Sequence, residues 1–505
     1  MFSVKKIATF CQKNPFFVAI LLLSAFCRLF KIGQYMEFLG DQGRDVVIVR
    51  DFLKNGNLFF IGPQTSIGNM YLGPYYYYLI APFLLLANFS PVGPAIFVAL
   101  LSVITTALIY QISKKWFDPL TATLAALFFA ISPVVIKYSS FSWNPNVMPL
   151  FSLLFIYFIH QALSTKKYQI LIWASLSYIM VINSHYLGLL LLPPAFLYCF
   201  LHLLSLKKQP QQKKAYLKYL LYALLIFLIS LLPQLLFDLK HQGQNIKALI
   251  KFFTIRQTTV NLKAYKALPH LLPLFTQIIT RLLTAKNEIY GQYLSYFLVL
   301  SFLFYLYRIF KNPRRFLSQP LNLVLIWFLS GLLGLALYKQ HIYDHYFAFL
   351  FPPVFMATAY LLSSLFRSRL KILAISLGLA LLYLSLSQNP FLFFPNRQLQ
   401  TVNNITDSII ARSENQPFNF TLLAKQNYDP PYRYVLGLKQ ASFVDLNQEL
   451  TEQLFVVCEP HPDINCQPIN HPEWGIAAFG WAKIDQQWQI NDIKIYRLLH
   501  TQNEN

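Results

Sequence analysis

Residues 38–79, FLGDQGRDVVIVRDFLKNGNLFFIGPQTSIGNMYLGPYYYYL, lie between two strongly apolar stretches and concentrate much of the acid and base in their part of the chain. Only 20 Asp and Glu occur in 505 residues, yet Asp41, Asp45 and Asp51 stand together with Arg44, Arg50 and Lys54. Read as a helix, GDQGRDVVIVRDFL puts Asp41 and Asp45 on one face and Val46, Val49 and Phe52/Leu53 on an apolar side. The spacing predicts a short helix at a membrane surface with its acidic start turned to water.

Working outward, composition sets the class. At 56% hydrophobic, 17% aromatic and 12% charged, with mean hydropathy +0.44, the chain is too apolar for a soluble domain of its length. It reads as a polytopic membrane protein. The net charge of +22 and pI near 9.6 do not indicate nucleic acid, because Lys and Arg fall in small clusters between apolar runs, where they set topology. The predicted spans are 15–32, 92–112, 119–137, 146–164, 168–184, 186–205, 216–237, 290–309, 320–338, 346–365 and 370–387. These are about eleven helices for a hydrocarbon core of roughly 30 Å. The first, after Lys5, Lys6 and Lys13, has no small-x-small cleavage site, and Phe26 before Cys27 spoils a lipoprotein-type site, so it is expected to stay uncleaved.

The run 75–89 is short, starts with four tyrosines and is broken by Pro82, so it is either a span or a re-entrant or interfacial helix. Loop charge separates the two. If it crosses, Lys114/Lys115, Lys166/Lys167, the lysine cluster at 207–218, Arg308/Lys311/Arg314/Arg315 and Arg367/Arg369/Lys371 all lie outside, opposite to the N-terminal lysines. If it does not cross, every one of these clusters lies inside, as the positive-inside bias requires. The second count places the N-terminus in the cytoplasm and gathers the polar segments on the outer face. Those segments are 33–91, FSWNPN (141–146), NSHYLG (183–188), a loop 238–289, KQHIYDHY (339–346) and the tail. In the 238–289 loop, Ile246, Leu249, Ile250 and Phe253 predict an amphipathic helix, held either by anionic lipid or by substrate phosphate.

The expected domains are a membrane domain, 1–389, and an extracytoplasmic α+β domain, 390–505, with strand-like runs at 418–424, 453–458 and 489–498. Cys11, Cys27 and Cys199 read as packing residues; Cys458 and Cys466 can pair if the tail is outside.

Asp41 carries two readings. Either it caps the helix and pairs with Arg44, or it is a general base for an acceptor hydroxyl while basic groups hold a leaving phosphate. The segment GDQGRDVVIVRDFLKNGNLFFIGPQTSIGNMYLGPYYYYLIAP resembles the first outer loop of bacterial GT-C glycosyltransferases of the dolichyl-phosphate-mannose protein mannosyltransferase and aminoarabinose transferase group, which typically reads D-E-x-x-x-A. SFSWNPNVMPLF and FDLKHQGQNIKAL resemble further segments of that superfamily. The resemblance implies a GT-C helical bundle and an inverting enzyme using a polyprenyl-phosphate sugar. The acceptor is a glycan, lipid or protein hydroxyl on the outer face of the cell membrane. The loop acid maps onto Asp41 as base. The second acid of the motif is Gln42 here, so Asp45 is the alternative partner carboxylate, and a lone Asp41 with Gln42 makes a poor divalent-cation site. No cofactor or metal is assigned.

Donor-phosphate candidates are Arg44, Lys240, His241 and His345; His345 alternatively pairs with Asp344 to close a loop. Trp143, Asn144 and Tyr346 are candidates to line the sugar cavity, against a plain interfacial role for Trp143. His185 and Tyr186 read as interfacial packing. The rival class is a transporter or flippase of lipid-linked glycans. The absence of an internal repeat and the gathering of charge at one surface weigh against it.

Overall fold

The computed structural model describes residues 14–65, 68–254, 260–261, 263–311, 319–464 and 466–501. Lys5, Lys6, Lys13, Cys11, Arg314 and Arg315 lie outside them, as does the side chain of Phe253. The chain divides into two compact units: one from Met1–Phe30, Leu58–Ile80 and Ala95–Phe394, the other from Lys31–Asn57, Ala81–Pro94 and Pro395–Asn505.

The helices, in chain order, begin with α1 (Pro15–Leu29), α2 (Gly40–Asn55), α3 (Tyr75–Leu86), α4 (Val92–Trp116), α5 (Pro119–Ile131), α6 (Pro133–Tyr138) and α7 (Met148–Thr165). They continue with α8 (Leu171–Ser184), α9 (Leu192–Ser205), α10 (Pro210–Ser230), α11 (Leu232–Lys240), α12 (Gln244–Thr254) and α13 (Leu268–Leu282). Then come α14 (Glu288–Lys311), α15 (Pro320–Ala336), α16 (Phe351–Phe366) and α17 (Lys371–Ser387). Among the described residues six helices are long and apolar enough to cross a membrane, and six shorter apolar ones, Tyr75–Leu86 among them, accompany these. The result is a multi-pass helical bundle. Proline often sets the starts, as at Pro15, Pro119, Pro133, Pro210 and Pro320, where its missing N–H costs no hydrogen bond.

The core of the first unit joins α5, α7, α8, α15 and α16, with Phe129, Leu153, Val181, Trp327 and Phe355 fully or almost fully buried. Arg28 is buried in α1, and the break between α5 and α6 accounts for its place. Pro133 has no N–H to offer the carbonyl one turn before it. The guanidinium supplies donors instead, to Phe129 O (3.2 Å) and Ala130 O (2.9 Å), and its Nε donates to Ser102 Oγ (2.7 Å). The carbonyls at the end of α5 are thereby satisfied where the helix breaks.

The amphipathic helix expected in the 238–289 segment forms, but the segment holds two further helical stretches that were not expected. α11 carries the preceding helix on to Lys240, α12 follows with Ile246, Leu249 and Ile250 exposed, and α13 is part of the core. On α13, Leu274, Ile278, Ile279 and Leu282 are buried at helical spacing, which outweighs the propensity penalty of Pro273.

In the second unit, α18 (Gln398–Arg412), α19 (Pro430–Leu438) and the short α20 (Trp474–Phe479) accompany a four-stranded mixed sheet. Its strands are β1 (Asn419–Leu423), β2 (Gln453–Cys458), β3 (Ala482–Ile490) and β4 (Ile493–His500), in the order β1-β2-β4-β3. β1 and β2 are parallel; β2–β4 and β3–β4 are antiparallel. The expected single strand 489–498 is instead part of a hairpin, because Asn491 takes φ 55° and turns the chain between Ile490 and Ile493. Cys458 and Cys466 form a disulfide, and Cys27 and Cys199 are free.

Candidate functional site

In the second unit the expected helix forms as α2, and the first turn is held from several sides. Gln42 turns back so that its Oε1 accepts the Leu39 N–H (3.0 Å). Asp41 therefore does not cap the helix. Gln398 Oε1 accepts the Phe38 N–H (2.8 Å) and Asn427 Oδ1 the Gly40 N–H (2.9 Å). Both glycines of GDQG serve close approach: a Cβ on Gly40 would run into the Tyr428 ring, and one on Gly43 into the backbone of Pro431. At its far end α2 stops at Gly56, in the left-handed region at φ 75°.

This frame presents an acid pair bridged by one cation. Arg44 donates through Nη1 to Asp41 Oδ1 (2.8 Å), and through Nε and Nη2 to Asp45 Oδ1 (3.0 and 2.8 Å). The Asp45 side chain is buried at 1% exposure, whereas that of Asp41 is 37% exposed. Among the described residues Arg44 is the one hydrogen-bond partner of the Asp41 carboxylate, and it engages only Oδ1. Chemically, Asp41 is an accessible carboxylate whose orientation is fixed. A divalent cation fits this donor set poorly, since Arg44 lies against both carboxylates and the Gln42 carbonyl is spent on Leu39.

In the first unit four of the expected residues or their neighbours meet. The His345 ring centre lies 4.4 Å from that of Trp143 and 4.6 Å from that of Tyr346, and His185 stands 5.3 Å from Tyr346. Asn144 is buried, and its Nδ2 donates to Ser184 O (2.7 Å), closing the end of α8. His345 does not close the loop against Asp344. That carboxylate, 5% exposed, is paired with Arg281 of α13, whose Nε donates to Oδ1 (2.7 Å) and whose Nη2 meets Oδ2. The hydrogen bonds to Asp344 hold the Arg281 guanidinium above its ordinary pKa. Lys286 lies within the fields of Arg281, Lys137 and Asp344, and burial followed by those two cations draws its pKa down. Arg281 pairs with Asp344, Lys286 feels the charges of Arg281, Lys137 and Asp344, and Tyr138, whose charge also acts on Arg281, has its ring centre 6.3 Å from that of His345. Sequence reading missed Arg281, Lys137 and Lys286, because Arg281 and Lys286 lay in a segment taken for a loop. The signal was Leu271, Leu274, Ile278 and Leu282 leading up to them at helical spacing.

Lys240 and His241, in contrast, are exposed at the end of α11, the His241 ring stacked on Phe237 with centres 4.0 Å apart. Their segment is tied by Asp238, which accepts the Asn245 and Ile246 N–H groups (2.8 and 3.0 Å) and starts α12.

A multi-pass helical bundle and a small mixed α+β unit make up the fold, and comparison with known proteins finds the same architecture elsewhere. Residues 72–232 match the family model described as dolichyl-phosphate-mannose-protein mannosyltransferase. The fold is similar to that of ArnT from Cupriavidus metallidurans bound to undecaprenyl phosphate: TM-score 0.56, 12% identity, covering 96% of this chain and 98% of that one. Apo ArnT from the same organism aligns with TM-score 0.53 and 10% identity, over 95% of this chain and 97% of its own. The Archaeoglobus fulgidus oligosaccharyltransferase in complex with Zn and sulfate aligns with TM-score 0.50 and 14% identity, over 85% of this chain and 62% of its own. No curated protein sequence matches the chain.

Proposed function

We propose that the protein is a membrane glycosyltransferase that moves a sugar from a polyprenyl-phosphate donor to a hydroxyl on the outer face of the cell membrane, with inversion at the anomeric carbon. The family match over residues 72–232 and the fold shared with a protein whose structure holds undecaprenyl phosphate support the class. The observation that carries the mechanism is the accessible Asp41 carboxylate at the start of a helix whose first-turn backbone is otherwise held in place.

Asp41 takes the proton of the acceptor hydroxyl as its oxygen attacks the anomeric carbon from the side opposite the phosphate. The new C–O bond forms as the bond to the phosphate oxygen breaks, and the electron pair leaves with polyprenyl phosphate. Asp45 accepts two hydrogen bonds from Arg44, which divides the guanidinium charge between two carboxylates and fixes the cation that orients Asp41. Within the first unit, taken by itself, Lys137, Arg281 and Lys286 gather positive charge of a kind suited to a phosphate. Trp143 and Tyr346 offer aromatic faces to a sugar ring. The tail disulfide supports an extracytoplasmic second unit, and the loop charges support a cytoplasmic N-terminus.

The test is product stoichiometry. Purified protein in proteoliposomes receives a doubly labelled polyprenyl-phosphate sugar together with membrane acceptors. Polyprenyl phosphate released in step with sugar bound to acceptor is the expected result. Intact donor crossing the bilayer with no bond cleaved would contradict the proposal and identify a flippase.

A further inference from the structure

The second unit contains a hydrogen-bonded relay that ends on the turn bearing Asp41, and the mechanism above draws only on its last bond, from the Gly40 N–H to Asn427. Asn427 is 9% exposed, and both ends of its amide are committed. Its Oδ1 accepts the N–H groups of Gly40 and Tyr428 (2.9 Å each), and its Nδ2 donates to Glu459 Oε1 (2.7 Å). The same Glu459 oxygen accepts the Tyr432 hydroxyl (2.9 Å). Burial, then the charge and hydrogen bond of Glu459, raise the Tyr432 pKa well above its ordinary value, so the hydroxyl stays a donor. The polarity of the relay is defined by the Gly40 and Tyr428 N–H groups, which can only donate, so the Asn427 carbonyl faces them and its NH2 faces Glu459.

Glu459 is in turn fixed. It follows Cys458, the last residue of β2 and one end of the disulfide, and its N–H donates to Leu423 O of β1 (2.9 Å). Position is thus passed from the sheet to Glu459, to Asn427, and to the backbone N–H one residue before Asp41. Gly40 packs closely on Tyr428, the residue after Asn427, and a Cβ at position 40 would run into that ring.

We infer that Asn427, aligned by Glu459, is a positioning residue for Asp41, setting where its carboxylate stands through the Gly40 N–H. The inference rests on the reading of Asp41 as the base. Misplacing a catalytic group by about 1 Å costs on the order of 100-fold in rate, so loss of the relay is read in kcat, while the donor KM changes little.

The experiment compares the full-length wild type with Asn427→Ala, Asn427→Asp, Asp41→Asn and the double variant Asn427→Asp with Glu459→Gln. Transfer is measured in proteoliposomes per mole of folded protein, with a polyprenyl-phosphate sugar as the probe. In the double variant the polarity is reversed: the carboxylate introduced at position 427 still accepts from Gly40, and the amide introduced at position 459 donates to that carboxylate. Asn427→Ala is expected to lose on the order of 10- to 100-fold in kcat with little change in KM. Asn427→Asp alone, which sets two carboxylates against each other, loses a similar amount, and the double variant recovers most of the rate. Wild-type kcat in Asn427→Ala overturns the inference. So does a loss that the polarity-reversed pair fails to restore while remaining folded, since that marks a plain structural role. If Asp41→Asn keeps wild-type kcat, the base reading fails and the inference goes with it. An inactive Asp41→Asn with an unimpaired Asn427→Ala removes the positioning role alone.

Discussion

At the scale of the residue, the two acids that matter were both visible in the sequence, but only one of their partners was. Asp41 and Arg44 are three apart on a helix, and the structure pairs them at 2.8 Å. Asp344 is different: its partner Arg281 lies far away in sequence, and no local spacing announces a pair 63 residues apart. The pair is open to a direct test. Arg281→Met leaves the buried Asp344 carboxylate without its guanidinium and is expected to cost about 3 kcal/mol. The double variant Arg281→Met with Asp344→Asn should regain part of that loss. Thermal unfolding in detergent measures both, and equal midpoints for wild type and Arg281→Met would show that the pair contributes nothing. For His345, the adjacent Asp344 suggests a His–Asp pair, whereas its ring lies against Trp143 and Tyr346.

At the scale of the element, α2 was legible because its acidic, apolar and basic positions each recur at helical spacing, and Gly56 ends it. What the glycines in GDQG are for was not legible, since that depends on Tyr428 and Pro431, which are hundreds of residues distant. Gly43→Ala places a methyl against the Pro431 backbone, and overpacking of this kind costs about 1–3 kcal/mol. Limited proteolysis should show α2 cleaved faster in that variant, and an unchanged rate would mean that the helix has room to move. α13 was missed although its Leu271, Leu274, Ile278 and Leu282 pattern was present, because 238–289 was read as one outer loop with a single amphipathic helix near its start. The β3–β4 hairpin was hidden for the opposite reason: an Asn-Asp pair in an otherwise alternating run marks a turn only once its φ 55° is known.

At the scale of the whole molecule, composition and hydropathy were enough for a polytopic bundle with a small α+β unit, since long apolar runs leave a chain few other choices. The fold it shares with ArnT over 96% of its length places the Asp41 helix in a known architecture without fixing what the side chain does. That question decides the account. The measurement is single-turnover sugar transfer from a polyprenyl-phosphate donor, comparing wild type with Asp41→Asn at equal amounts of folded protein and matched thermal stability. Loss of a general base predicts a fall in the transfer rate of at least about 100-fold, with donor binding retained. Transfer by the stable variant at the wild-type rate would contradict the assignment of Asp41 as the base.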